Sequence, residues 1–292
     1  MDKLFTDQAE GLRRLLGQGG LSVITVLSGE RRTGKTTAVA NLAVALSRAG
    51  RHVLVLDQSP RGQGVCGMLD VVPVFDLADV IAGRCQLEDI ILTSADGVDV
   101  LPIGGGFERF ARLSEPEQQA LDAAFARLKT AVDVVLVDGV GDAPGALPMG
   151  LAASEILIVL APDARSITQS YALVKRLAHD FGKRRFRLLV NRARSAEDAL
   201  SIARNFSATT EGYLGVAVDY LGAIPHDERL VRAGTLHRTV VDAFPVAAST
   251  QQFRHLAEGV LRWPPIAGMS EFGGLMQRLV HGSRLLGACK RA

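Results

Sequence analysis

A mostly apolar run, Leu21-Ser-Val-Ile-Thr-Val-Leu27, leads directly into Ser28-Gly-Glu-Arg-Arg-Thr-Gly-Lys-Thr-Thr37. No other stretch restricts the fold as much. The run reads as a strand buried on both faces. Gly29 and Gly34 mark a turn, and from Lys35 onward Ala38, Asn41, Leu42, Ala45 and Leu46 recur at helical spacing until Gly50 supplies a stop. Gly29, Gly34, Lys35 and Thr36 complete the pattern G-x-x-x-x-G-K-[ST]. Its spacing serves a chemistry. Loop N–H groups converge on phosphate oxygens, the helix N-terminus adds its positive dipole, and Lys35 reaches the terminal phosphates. Thr36 offers a hydroxyl to Mg²⁺. The expected nucleotide-binding residues are Gly29, Glu30, Arg31, Arg32, Thr33, Gly34, Lys35, Thr36 and Thr37. A plain glycine-containing turn is the competing reading, and the strand before and helix after weigh against it.

The rest of the chain repeats the strand–helix alternation. His52–Asp57 reads as a second buried strand ending in a carboxylate, followed by the glycine-rich loop Ser59–Gly64, either a switch or a simple turn. Phe75–Ala82 and Glu115–Thr130 read as helices and Val98–Pro102 as a strand. Asp133-Val-Val-Leu-Val-Asp138 then places a second carboxylate at a strand's carboxyl end, near the expected Mg²⁺. Strands are expected at Glu155–Leu160, Arg187–Asn191 and Val216–Ile224, and helices at Ser166–Phe181, Ala196–Glu211 and Ser249–Trp263. Such alternation implies a doubly wound, mostly parallel α/β sheet with helices on both faces and ligand at the strands' carboxyl ends. Three parts are expected: an N-terminal helix and hinge over 1–20, a nucleotide-binding domain over 21–265, and a tail over 266–292.

Composition narrows the function classes. A formal net charge of +2 is too small to imply nucleic acid by itself. Cys66, Cys85 and Cys289 fit no metal-ligand spacing, which argues for a reducing compartment and against zinc, iron–sulfur or a disulfide framework. No secretory signal opens the chain and no apolar run of membrane-spanning length occurs, so a cytoplasmic protein is expected. In the tail, Phe272, Leu275, Met276, Leu279 and Leu286 recur at helical spacing among Arg278, Arg284, Lys290 and Arg291. That pattern suits a basic amphipathic helix lying on an anionic membrane surface. The alternative is a helix docked on its own domain.

With these residues in view, the chain resembles the MinD/ParA family of P-loop ATPases, and within it the flagellar-number branch, FlhG (FleN). The resemblance covers most of the chain. Asp7-Gln-Ala-Glu-Gly-Leu-Arg-Arg-Leu15 is similar to the element that this branch carries ahead of its ATPase domain, and implies a partner-binding role for Asp7, Gln8, Gly11, Leu12 and Arg13 toward the flagellar signal-recognition-type GTPase (FlhF-like). Pro162–Lys175 resembles the segment after the next strand. Val190-Asn191 resembles the family's strand end that meets adenine, and Tyr220–Asp227, with Pro225, its element near the base. The resemblance implies ATP and Mg²⁺ as cofactors, catalytic roles for Lys35 and Asp57, and metal roles for Thr36, Asp57 and Asp138. It also implies an ATP-dependent homodimer, peripheral contact with the inner face of the cell membrane, and flagellar basal-body proteins or a flagellar transcription regulator as further partners. No specific nucleic acid is expected.

The departures from the family pattern carry equal weight. The family's loop reads K-G-G-x-G-K-T, whereas Glu30, Arg31 and Arg32 stand at the first three positions here. The lysine reaches the other subunit's nucleotide, and a glutamate facing phosphates would repel them. In the D-x-D switch loop Asp57 is kept and Ser59 replaces the water-orienting carboxylate. Gly139 follows Asp138 in place of threonine. Binding without efficient hydrolysis is the expectation, unless Arg31 or Arg32 replaces the cation and Asp142 the carboxylate. Three readings stay open: a nucleotide-dependent membrane switch, a non-hydrolysing adaptor, and a ParA-like DNA-partitioning ATPase, the last weakened by the near-neutral charge.

Overall fold

The computed structural model describes residues 21–60, 63–104, 113–127, 132–139 and 155–263. The expectations placed on the N-terminal element, on Asp142 and on the tail with Phe272, Leu275, Met276 and Leu279 lie outside these residues. Within them, eight strands form one sheet: β1 Ser22–Leu27, β2 Val53–Asp57, β3 Leu92–Thr93, β4 Asp99–Pro102, β5 Val134–Asp138, β6 Glu155–Leu160, β7 Arg185–Ala193 and β8 Ala217–Pro225. Their order is β3-β4-β2-β5-β1-β6-β7-β8. All neighbours pair in parallel except β3, which runs antiparallel to β4. The expected doubly wound sheet is therefore the observed one.

Strand alternation sends side chains to two helical layers. Ile24 and Val26 of β1, Val53 and Val55 of β2, and Val134 and Leu136 of β5 join one core with helix α1 (Lys35–Arg48) and the C-terminal helix of the described chain. On the other face, Leu54, Leu56, Val135 and Val137 pack against Leu77, Leu121 and Phe125. Those three belong to α3 (Leu77–Ile81) and α4 (Glu115–Arg127), which follow the short α2 (Gly64–Met68). Ile156, Ile158 and Leu188 meet α5 (Ala164–Phe181) and α6 (Ala196–Leu214) through Leu173, Leu177 and Phe206. After β8 come α7 (Glu228–Thr235), α8 (Val240–Ala243) and α9 (Ala248–Val260).

Sequence spacing predicts one apolar stripe on α1, but every residue from Ala38 to Leu46 is buried. The reason is position: α1 lies between the sheet and α9, whose Phe253, Leu256 and Val260 share its core, so it is covered nearly all round. The polar exception, Asn41, is fully buried. Its amide donates to the Thr37 carbonyl at 2.8 Å, and its Oδ1 accepts from the Val240 N–H at 2.7 Å, capping the start of α8. The two ends of α9 are also fixed. Asp227 accepts from Arg229 N at 2.9 Å, capping α7, and from Ser249 N and Oγ at 3.1 and 2.7 Å, capping α9. Beyond the other end of α9, the Arg187 guanidinium sits over the Trp263 ring, 5.1 Å from its centre.

Candidate functional site

The connection from β1 to α1 lies at the carboxyl edge of the sheet, where β1 is flanked by β5 and β6. Its shape is held from several sides. A Cβ on Gly29 would stand 2.2 Å from the backbone carbonyl carbon of Gln169 in α5, so only glycine lets the loop approach that helix. Gly34 has φ +87°, and a Cβ there would stand 2.1 Å from Asn191 Nδ2. Asn191 donates from that nitrogen to the Thr33 carbonyl at 2.7 Å, and Arg192 Nη2 donates to the Arg32 carbonyl at 2.7 Å. Arg32 itself sits at φ +62°.

The N-terminus of α1 has no side-chain cap, which leaves its first N–H groups available to an anion. Beside it, Thr33 Oγ1 is buried with no hydrogen-bond partner, an orphan that a bound acceptor would satisfy. The loop opens into a cleft of about 740 Å³, within the range of small-molecule sites. Ser28 and residues 30–37 form one wall, Ser59, Pro60, Gln63 and Gly64 another, and Arg192 completes the rim. All the expected residues from Glu30 to Thr37 thus gather at one site, while Asn191 and Pro225 do not line it. Asn191 is buried behind the loop with its amide nitrogen on Thr33.

At the floor of the cleft Lys35 Nζ bonds to Asp138 Oδ1, and Thr36 Oγ1 donates to Asp138 Oδ2 at 2.8 Å. A hydroxyl and one carboxylate are the oxygen donors that Mg²⁺ takes when phosphates and water complete its shell. These residues fit the group, with Thr36 and Asp138 as holders. Asp57, for which a catalytic and metal role is expected, is the register partner of Asp138 across β2 and β5, and its carboxylate is held by backbone. Its Oδ1 accepts from Ser59 N and its Oδ2 from Cys66 N, each at 2.9 Å. Burial pushes its carboxyl up, the Cys66 N–H pulls it down, and the Asp138 charge adds to the rise. Asp57 therefore anchors the loop that carries Ser59. At Gly64, φ +72°, a Cβ would stand 2.2 Å from Ser59 Oγ, so that hydroxyl occupies space that only a glycine leaves free. At Gly139 a Cβ would meet Leu27 Cδ2 at 2.6 Å, the far end of a flexible side chain, so the confinement there is looser.

Glu30, the carboxylate that the sequence sets against the phosphates, lines the cleft, and its Oε2 pairs with Arg165 Nε at 2.9 Å, at the start of α5. An opposite charge answers it before any ligand arrives. Arg192 belongs to no local pattern, whereas Arg165 and Gln63 lie in segments the sequence marks, Pro162–Lys175 and Ser59–Gly64, without a role for either side chain. They reach the site from the end of β7, α5 and the loop after β2.

Residues 24–240 match the profile of the CobQ/CobB/MinD/ParA nucleotide binding domain. The chain is 36% identical over 247 residues to the antiactivator FleN of Pseudomonas aeruginosa, covering 84% of this chain and 88% of that one. It is 28% identical over 222 residues to the flagellum site-determining protein YlxH of Helicobacter pylori, covering 74% and 73% of the two chains. Among solved structures, the septum site-determining protein MinD of Pyrococcus horikoshii, complexed with Mg-ADP, superposes with a TM-score of 0.64 at 26% identity, covering 83% of this chain and 96% of that one.

Proposed function

The chain belongs to the CobQ/CobB/MinD/ParA nucleotide-binding family, and from that premise we propose that it is a MinD-like, nucleotide-dependent regulator of flagellar number or placement. The observation that carries the nucleotide half is the open α1 terminus beside Lys35, Thr36 and Asp138 in one cleft. The flagellar half is supported by the identity to FleN. In this reading the loop N–H groups and Lys35 bind the phosphates of ATP, and Lys35 exchanges its bond to Asp138 for one to phosphate. Thr36 and Asp138 hold Mg²⁺, which when bound supplies Lewis-acid charge neutralisation on the phosphates. ATP binding favours a homodimer, the tail docks on the anionic inner membrane surface, and the N-terminal element stimulates a flagellar signal-recognition-type GTPase.

A specific observation favours slow or absent hydrolysis. Ser59 stands beside the cleft where a carboxylate would orient water, and both oxygens of Asp57 already serve loop N–H groups. A regulator that binds ATP and adapts its partners without turnover is therefore the second reading. Among the described residues no helix is long and apolar enough to cross a membrane, in keeping with peripheral contact. Two measurements on the same gene test the proposal: calorimetric titration of purified protein with MgATP, and flagella per cell after gene deletion. Micromolar binding together with altered flagellar number supports it. Unchanged flagellation removes the flagellar half, and absence of binding removes the nucleotide half. Turnover far below about 10 per second separates the slow switch from an ordinary ATPase.

A further inference from the structure

Charge around the cleft is unevenly committed. Lys35 is bonded to Asp138 and Glu30 to Arg165, so a ligand must compete for the first and meets a glutamate that already has a cation beside it. Arg31 and Arg32 line the cleft as exposed side chains. Arg192 is held differently. Its Nη2 is fixed on the Arg32 carbonyl at 2.7 Å, and among the described residues it pairs with no carboxylate. A guanidinium carries five N–H donors in one plane. One bond to the loop leaves the other donors, and the whole charge, for an anion in the same cleft.

The backbone supports the same placement. Arg192 has φ +58°, a left-handed conformation that strains a side-chain-bearing residue. At the same point the pairing of β7 with β8 slips, between Asn191 and Ala193. A bulge of this kind re-aims a side chain that regular pleating would send to one face of the sheet. Asn191, just before it, grips Thr33, so the two consecutive residues hold two consecutive loop carbonyls. The strand end is shaped around the phosphate loop, and its cation faces the cleft.

We propose that Arg192 is a phosphate-binding residue of this cleft, supplying from the same chain a pre-positioned cation for a nucleoside polyphosphate. The inference rests on the reading of the cleft as a nucleotide site and adds a residue that the glycine-loop pattern does not contain. Arginine suits the place because it can bond the loop carbonyl and a phosphate oxygen at once, which a lysine does with less geometric control.

The test is calorimetric titration of the full chain with MgATP at low and high salt, using Arg192→Gly, Arg192→Lys and the control Arg194→Gln. Arg194 is exposed and lies off the cleft wall. Arg192→Gly is expected to weaken binding by about ten- to a hundredfold and to flatten the salt dependence. Its ligand-free melting temperature stays at or above that of the parent, because glycine adopts the same φ freely. Arg192→Lys recovers part of the affinity, and Arg194→Gln keeps all of it. Parental affinity in Arg192→Gly overturns the inference. So does a loss of affinity accompanied by lower ligand-free stability and no recovery in Arg192→Lys, which marks a purely structural residue. If the parent binds MgATP and Lys35→Ala does not, those outcomes concern Arg192 alone. A parent without ATP affinity overturns the nucleotide reading and this inference together.

Discussion

The two edges of the sheet are built on opposite rules. At the amino edge, charges are answered inside the protein. Arg187 of β7 bonds Glu155 of β6 at 3.0 Å and Asp219 of β8 at 2.7 Å, and stacks on Trp263. Asp133 Oδ2 accepts the His52 N–H at 2.9 Å. At the carboxyl edge, Arg32, Gly34 and Arg192 occupy left-handed backbone, the start of α1 is uncapped, and Thr33 Oγ1 is buried without a partner. The amino edge has a buried orphan of its own in Ser22 Oγ, but at the carboxyl edge an orphan, left-handed backbone and an open helix end fall together, as expected where a ligand completes a site. The amino edge contributes stability, and the carboxyl edge gives up some of it for binding.

Substitutions at the two edges should therefore read out differently. The largest effect is expected for Lys35→Ala. At ATP a hundredfold above its dissociation constant, ligand should stabilise the parent by about 2.7 kcal/mol, a gain that vanishes in the variant. Thermal melts with and without MgATP measure it, and a persisting gain would break the assignment of this edge to binding. Next, Arg187→Ala leaves Glu155 half-buried without its cation. The expected loss is about 2 kcal/mol of unfolding free energy, between the surface and buried limits for ion pairs, with ATP affinity unchanged. Urea unfolding beside calorimetry would show whether the amino edge is as separate as its contacts suggest.

A third variant, Asp227→Asn, weakens a cap and should cost about 1 kcal/mol. It also has a pH sign. Burial raises the Asp227 carboxyl, but bonds from Ser249 and Arg229 outweigh it, and the net shift is downward. A folded value below the unfolded one gives stability that is present above the ordinary Asp range and lost as pH falls through the lower folded value. The difference in stability between parent and Asp227→Asn should then shrink on acidification. A difference constant down to the acid transition would remove the carboxylate's charge from the account. The smallest effect is the sharpest. Arg192→Gly should stabilise the ligand-free chain by less than about 1 kcal/mol, because glycine relieves the left-handed strain while the bond to the Arg32 carbonyl is lost.

Much of this was legible in the chain itself. β1, β2, β5 and β6 are buried on both faces and so read as unbroken apolar runs. The glycine loop is local, and its residues meet in one cleft. Other parts were hidden for physical reasons. β7 extends back to Arg185, beyond the expected Arg187, because a charged residue inside a strand looks like its end unless its cross-strand partners are known. Here Asp219 and Glu155 supply them. β3 is two residues long, and α2, α7 and α8 are too short to show a period. Asn41 fell in with the apolar positions of α1, whereas it acts as the cap of a helix about two hundred residues later. The side-chain roles of Arg165 and Arg192 were hidden even though their segments stood out, since only folding sets Arg165 on Glu30 and Arg192 on the Arg32 carbonyl.

The fixing of α9 has a mechanical consequence. Its 13 residues form a strut about 20 Å long, pinned at one end by the Asp227 carboxylate that follows β8. The chain leaving its other end meets Arg187 through Trp263. Since Asp227 also pins α7, a single loosened side chain would free two levers, while Arg187 stayed as the pivot. At residue 263 the chain is thus held against β7 through Arg187, by a contact independent of the Asp227 pin at the other end of the strut.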